Sequence, residues 1–126
     1  MAVGSEAVEL VLAWHAALNA ADVDRLLELS TSDVEVGGPR GAGRGADLLR
    51  DWVARAHIQL EPLRWQAQAA TVVVEQRARW QTPDGQTTEP LTVASVFKIE
   101  GGKVASVIRL EDFASALESA GANPGV

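Results

Sequence analysis

The chain has 126 residues, of which 47% are hydrophobic and 22% charged, and its formal net charge at pH 7 is −6. This length predicts one globular domain over residues 1–126, because single domains commonly run to roughly 100–200 residues. The acidic balance argues against nucleic acid as a partner, since binding the phosphate backbone needs clustered Lys and Arg. The chain has no cysteine, which excludes disulfides and thiolate metal sites.

The N-terminal segment MAVGSEAVELVLAW lacks the basic region that precedes the apolar core of a signal sequence. No apolar run approaches the roughly 20 residues that a membrane span requires. We therefore expect a soluble cytoplasmic protein with no membrane partner.

Three helices are predicted in the first half of the chain. Apolar residues at helical spacing place the first helix over Ser5 to Asn19, with Ser5 as its cap. Asp22 is predicted to cap a short second helix in VDRLLELS, and Ala46 to His57 gives the third.

A short strand is predicted between the second and third helices, over Asp33 to Val36, where polar and apolar residues alternate. The glycine-rich segment Gly37 to Gly45 follows it and is interpreted as a connecting loop. The segment lacks the Gly-Lys-Ser/Thr ending of a phosphate-binding P-loop, so a nucleotide site is not predicted there.

The second half of the chain predicts a meander of four antiparallel strands. The strands are placed at 63–69, 71–80, 87–99 and 103–111, with Thr71 to Trp80 at the centre of the sheet. The sequences Pro83 to Gly85 and Glu100 to Lys103 carry turn signals. Asp112 is predicted to cap a final short helix that Gly121 closes. This order of elements predicts an α+β fold with helices on one sheet face.

Several of these segments together resemble the nuclear transport factor 2-like superfamily, which includes ketosteroid isomerases, limonene epoxide hydrolases and SnoaL-like polyketide cyclases. They are AWHAALNAADVDRLLELSTSDVEV, the Gly-Pro-Gly loop, GADLLRDWV and VASVFKIEGGKVASVIRLEDF, and they cover nearly the whole chain. The resemblance implies a cone-shaped, curved mixed or antiparallel sheet, wrapped by three N-terminal helices and followed by a short C-terminal helix. It also implies a ligand cavity inside the cone and, in many members, a dimer through the convex sheet face.

The catalytic residues of these relatives are mostly not matched. Against ketosteroid isomerases, the tyrosine of the oxyanion hole falls on Trp14, the general-base aspartate on Gly38, and the second oxyanion-hole aspartate near Ser95. A glycine cannot abstract a proton beside a ketone. The Asp-Arg-Asp triad of epoxide hydrolases falls, in that order, on Arg77, Glu75 and Arg109, so its charges are inverted. The SnoaL-like catalytic aspartate also falls on Arg109.

Strand alternation places Glu75 and Arg77 on one face of their strand, and the resemblance turns that face, with Arg109, into the cavity. Glu75 is then the candidate acid or base. The candidate ligand contacts are Trp14, Trp52, Trp65, Arg77, Val93, Ser95, Phe97, Val107 and Arg109. The three charged side chains have a second interpretation as a solvated row or an internal structural ion pair. The three tryptophans have a second interpretation as core or cavity wall. No cofactor is predicted. No metal site is predicted either, because His15 and His57 lack a metal-ligand spacing.

The opposite sheet face is predicted to carry the apolar row Val72, Val74, Trp80, Val96 and Ile108. A row of this size suggests a homodimer through that face. Three functions remain open: a small-molecule-binding protein with an apolar cavity and an Arg/Glu polar end, for an anionic or carbonyl-bearing ligand; a SnoaL-like isomerase, cyclase or hydrolase that uses Glu75; and a dimeric interaction module.

Overall fold

Four helices and six strands make up the computed structural model, which describes residues 3–38, 41–56, 58–68, 70–80 and 84–120. The helices are α1 (Val3–Asn19), α2 (Val23–Glu28), α3 (Ala46–Ala56) and α4 (Phe113–Ser119). The strands are β1 (Ser30–Gly38), β2 (Gly41–Arg44), β3 (Gln59–Gln68), β4 (Thr71–Arg79), β5 (Leu91–Glu100) and β6 (Lys103–Leu110).

The six strands form one curved, unclosed sheet in the order β2-β1-β6-β5-β4-β3. Strands β3 to β6 pair antiparallel in sequence, which confirms the predicted meander. Strand β1 pairs parallel to β6, and the sheet is therefore mixed. The α+β fold class is confirmed. The predicted central position of the strand from Thr71 is wrong, because β1 and β2 extend the sheet beyond β6 and leave β5 and β6 in the middle.

The interpretation of Gly37 to Gly45 as an irregular loop is also wrong. Strand β1 continues to Gly38, and Gly41–Arg44 returns antiparallel beside it as β2. Glycine serves close packing here, because a Cβ atom built on Gly43 would lie 2.5 Å from Cδ2 of Leu48 on α3. The short hairpin can therefore approach α3 closely.

Side-chain caps begin two of the helices. The carboxylate of Asp22 accepts a hydrogen bond from the backbone N–H of Arg25 at 3.2 Å, and Asp112 accepts one from Ser115 at 2.7 Å. Both predicted caps are confirmed. Ser5 is not the cap of α1, because that helix begins earlier, at Val3.

Strand β3 begins at Gln59, before the predicted start at Leu63, and runs through Pro62. Proline is tolerated because β3 is an edge strand, and the register shifts between Pro62 and Arg64. The predictions that fall on His57, Ala69, Pro83 and Gly121 lie outside the described residues.

The two faces of the sheet differ in what covers them. We call the face that packs against α1 the inner face; Val72, Val74 and Phe97 on this face join Trp14 in the main core. The opposite, outer face carries a second apolar cluster, in which Val73, Ala94 and Val96 pack against Ala116 and Leu117 of α4.

The register between β4 and β5 overturns the predicted assignment of faces. Val74 pairs with Ser95 and Glu75 pairs with Ala94. Directly paired residues project to the same side of a sheet, so Glu75 and Arg77 lie on the outer face while Ser95 lies on the inner one. Which residues of β4 and β5 share a face depends on how the connection between the two strands, residues 80–90, sets their pairing. The strand sequences alone do not determine this pairing.

The apolar row predicted for dimerisation is divided by the same register. Val72 and Val74 are buried in the inner core, and Trp80 packs against that core. Val96 belongs to the outer cluster beneath α4 and is only 3% exposed. The proposed dimer surface is therefore wrong, and homodimerisation itself stays a prediction that sedimentation can check.

Candidate functional site

An apolar cavity of about 560 Å³ lies between the inner face, the β1–β2 hairpin and α3. Its size falls within the range of small-molecule sites. The described lining residues are Val36, Gly37, Gly38, Gly41, Leu48, Trp52, Ile58, Leu60, Ser95, Val107 and Arg109. Among them, Arg109 is the one charged side chain.

The guanidinium of Arg109 has no partner among the residues that the structure describes. No hydrogen bond or ion pair joins it to them, and the residue is exposed on the cavity wall. Arg64 and Arg77 of the outer face are each paired with a glutamate, whereas Arg79 of that face has no described partner either. The side chain projects beside Gly38, where an added Cβ atom would lie 3.8 Å from Nε of Arg109. A cation without a carboxylate beside an apolar cavity can bind an anionic group of a ligand.

Ser95 pairs with Arg109 across β5 and β6, so the two side chains are neighbours on the cavity wall. The Ser95 hydroxyl is bonded on its other side to a buried amide: Oγ of Ser95 lies 2.8 Å from Oε1 of Gln76. Nε2 of Gln76 in turn lies 2.8 Å from Nε2 of His15 on α1. A chain of hydrogen bonds thus connects the cavity wall with the first helix.

His15 is the last member of this series of hydrogen bonds and lies in the protein interior. Its side chain is 1% exposed, and its Nδ1 lies 2.7 Å from the carbonyl oxygen of Val11. Burial lowers the pKa of His15, because it disfavours the charged imidazolium, and the hydrogen bond to Val11 opposes this effect only in part. The ring is therefore neutral near pH 7.

Two of the predicted ligand contacts belong to the core behind the cavity. Trp14 is fully buried, and its Nε1 donates a hydrogen bond to Oγ of Ser30 at 3.0 Å. Phe97 is also fully buried and packs edge-to-face on Trp14, with ring centroids 5.2 Å apart. Neither residue is among the lining residues, so both act as packing residues in the structure.

The other uncharged candidates are divided between the cavity and the remaining surface. Trp52, Ser95 and Val107 line the cavity, and their contact with a ligand stays a prediction. Trp65 is 43% exposed on the edge strand β3, and Val93 packs against the main core; neither is among the described lining residues.

The predicted cluster of Glu75, Arg77 and Arg109 does not form. On the outer face, Glu75 accepts two hydrogen bonds from Arg64, at 3.0 and 3.3 Å. Arg77 donates to Glu61 at 3.0 Å on the same face. Only Arg109 faces the cavity, because its partner Ser95 is an inner-face residue. The second reading of Glu75 and Arg77, as structural ion pairs, describes their positions correctly.

The sequence did not single out Gln76 or assign His15 a role near the cavity. A polar residue between Val74 and Ala78 on an otherwise apolar face was a signal, because a buried amide must find hydrogen-bond partners. The partner could not be identified, since His15 lies far from Gln76 in the sequence and the two meet only when α1 packs on β4.

The described part of the chain contains no group of three or more His, Cys, Asp or Glu side chains that could hold a metal ion. Within the same residues, no helix is both long and apolar enough to cross a membrane.

Comparisons with solved structures give several neighbours that share this fold. A protein of Xanthomonas campestris pv. campestris assigned as a polyketide cyclase is 22% identical, with a TM-score of 0.76, covering 90% of this chain and 96% of its own. An LEH-like epoxide hydrolase of M. tuberculosis is 22% identical, with a TM-score of 0.75 and coverages of 91% and 89%. TerC, co-crystallised with polyporic acid, is 21% identical, with a TM-score of 0.73 and coverages of 90% and 98%.

No curated protein sequence matches the chain significantly. A family model, that of the SnoaL-like domain, matches residues 11–107, which is more than half of the chain. The matched segment runs from α1 to β6 and so includes His15, Gln76 and Ser95. The resemblance noted in the sequence is confirmed, and the chain belongs to the SnoaL-like domain family within the nuclear transport factor 2-like superfamily.

Proposed function

We propose that the protein binds a small, largely apolar molecule with an anionic group, and that Arg109 contacts this group. The observation that carries the proposal is the guanidinium of Arg109, which lies on the wall of an apolar cavity of about 560 Å³ and has no partner among the residues that the structure describes. A bidentate contact with a carboxylate or similar oxyanion would satisfy the guanidinium fork. The apolar walls, including Leu48 and Trp52 of α3, would bury the rest of the molecule.

One solved neighbour was crystallised with a small organic molecule, which supports ligand binding as a function to propose for this fold. TerC was crystallised with polyporic acid, which is an organic acid, and other neighbours are a protein assigned as a polyketide cyclase and an epoxide hydrolase. Their identities of 21–22% support the fold rather than a shared substrate.

The proposal does not use Glu75 as an acid or base. Its carboxylate is held by Arg64 on the outer face, across the sheet from the cavity. No carboxylate is among the described lining residues, so the geometry supports binding ahead of general acid–base catalysis.

The test compares 2-naphthoate with its uncharged amide, 2-naphthamide, by titration calorimetry. In Arg109→Gln, binding of 2-naphthoate should weaken by about 1.5–3 kcal/mol, the scale of a hydrogen bond to a charged group, while binding of 2-naphthamide should change little. Arg77→Gln is the matched control, because it removes an arginine of the outer face.

Equal losses in Arg109→Gln and Arg77→Gln would contradict the proposal, because the effect would then come from net charge. Unchanged binding of 2-naphthoate by Arg109→Gln, or no binding of 2-naphthoate by the unmodified protein, would contradict it as well.

A further inference from the structure

We infer that the ligand of the cavity carries a hydrogen-bond donor beside its anionic group, as a hydroxy acid or enol acid does. The inference rests on the proposed function and deepens it. Hydrogen bonds connect Ser95, Gln76 and His15, and the inference follows from which group donates in each. The Ser95 hydroxyl donates its proton to Gln76, so toward the cavity it can only accept.

The donor and acceptor roles can be assigned starting from α1. The carbonyl oxygen of Val11 can only accept, and it lies 2.7 Å from Nδ1 of His15, so the proton of this hydrogen bond is on Nδ1. The buried imidazole is neutral and has one N–H, hence Nε2 of His15 carries no proton and must accept.

The roles at His15 determine the orientation of the Gln76 amide on β4. Its amide nitrogen donates to Nε2 of His15 at 2.8 Å, which turns its carbonyl oxygen toward Ser95. The amide oxygen is an acceptor, so the Ser95 hydroxyl donates its single proton to it at 2.8 Å.

The opposite direction is disfavoured. It would require Nε2 of His15 to donate, and a neutral ring would then place the lone pair of Nδ1 against the carbonyl oxygen of Val11 at 2.7 Å. An imidazolium would avoid that repulsion but would be a charge without a carboxylate among the described residues around it.

Ser95 therefore has only lone pairs left for a ligand, while its neighbour Arg109 has only N–H donors. Cross-strand pairs place their Cβ atoms about 5 Å apart, so the cavity wall presents an acceptor and a cationic donor side by side. The complementary ligand has an anionic group and a donor at similar spacing. A ligand with an ether or carbonyl oxygen opposite Ser95 would place two acceptors together.

The experiment measures the dissociation constants of four naphthoates for the unmodified protein. 4-Hydroxy-2-naphthoate carries a donor near the carboxylate but too far away to bond to it internally. We expect it to bind roughly tenfold more tightly than 4-methoxy-2-naphthoate and 2-naphthoate, the difference that one added hydrogen bond makes. 6-Hydroxy-2-naphthoate, whose hydroxyl is on the distant ring, should bind like 2-naphthoate.

Ser95→Ala provides the matched variant. It should bind all four naphthoates about as tightly as the unmodified protein binds 2-naphthoate, because the acceptor is gone and Arg109 remains. The advantage of the 4-hydroxyl should return in Ser95→Thr, which keeps a hydroxyl at this position.

Equal binding of the 4-hydroxy and 4-methoxy acids by the unmodified protein would overturn the inference, and this outcome does not depend on the folding of any variant. If 2-naphthoate still binds through Arg109 in that case, the proposed function survives and only the direction of the Ser95 hydrogen bond is wrong. If no naphthoate binds, both proposals fail.

Discussion

The inner and outer faces of the sheet differ in their polar side chains, although they are built from the same strands. On the outer face, two ion pairs join neighbouring strands, Arg64 with Glu75 and Arg77 with Glu61. On the inner face, polar side chains are neutral and bonded to one another, and one cation, Arg109, has no described partner. The charged row of Glu75 and Arg77 therefore lies away from the cavity, whereas Arg109 lies on its wall.

The interactions of the two faces contribute differently to the stability of the fold, because they differ in burial. The outer pairs are solvent-exposed, with 48% of the Arg77 side chain and 61% of the Glu61 side chain accessible. Water screens such pairs and they stabilise a fold only slightly. The core behind the cavity on the inner face is buried, with Trp14, Val72 and Phe97 each fully buried, so volume and hydrogen bonding decide its stability.

The largest expected effect is on the inner face. Phe97→Ala removes a fully buried ring that packs on Trp14 and His15, and it should lower the free energy of unfolding by about 3–5 kcal/mol. Urea denaturation measures the change. Leu91→Ala on the same strand is the control, because Leu91 is 51% exposed, and it should cost about 0.5 kcal/mol. Equal losses would show that β5 does not divide the chain into buried and exposed positions as described.

The next effect tests the charge of Arg109, which has no partner among the described residues. A side chain at Gly38 would project next to Arg109, at ordinary contact distance. Gly38→Asp should place a carboxylate beside Arg109 and compete with an anionic ligand, weakening 2-naphthoate binding by about 1.5–3 kcal/mol in calorimetry. Gly38→Asn has nearly the same shape without the charge and should have a clearly smaller effect. Equal effects of Asp and Asn would mean that steric blockage, and not charge, is responsible.

The third effect is the pH dependence of stability that the buried His15 produces. Its pKa is lowered from 6.5 by burial, so the unfolded chain takes up a proton on His15 at a higher pH than the folded chain does. The stabilisation from a neutral His15 is complete above pH 6.5 and is lost as the pH falls through the lower pKa of the folded state. Unfolding free energies measured between pH 8 and 5 should therefore fall more steeply for the unmodified protein than for His15→Gln. Parallel curves for the two proteins would contradict this assignment.

The smallest effect belongs to the outer face. A double-mutant cycle of Arg77→Ala and Glu61→Ala should give a coupling energy of about 0.2–1 kcal/mol, because both side chains are largely exposed. The cycle is measured by urea denaturation in low and high salt, and salt should reduce the coupling. A coupling of several kcal/mol would mean that the outer charges are structurally as important as the inner core.

Local patterns predicted most of the secondary structure and the fold class. Apolar periodicity placed α1 and α3, and carboxylates at the start of α2 and α4 act as the predicted caps. The turn at Gly101 and Gly102 has positive φ at both glycines, as its sequence indicated. These features depend on residues close together in the chain, and the sequence contains all the information that they need.

The sequence placed Arg109, Ser95, Val107 and Trp52 at the cavity, and the structure places them there too. The same reasoning also placed Trp14, Trp65, Val93 and Phe97 there, and none of them is among the described lining residues. It placed Glu75 and Arg77 there as well, although they lie on the outer face, because the chain between β4 and β5 sets which faces coincide and a shift of one residue exchanges them.

What the sequence by itself determined is the order of helices and strands, the two alternating faces of each strand and the family of folds. Only the tertiary structure decided which faces of neighbouring strands coincide, that His15 meets Gln76, and that Arg109 has no described partner beside the cavity. The physical reason is range: helix periodicity, caps and turns depend on neighbours within a few residues, whereas cross-strand register and buried hydrogen-bond chains depend on contacts that form only when distant segments pack.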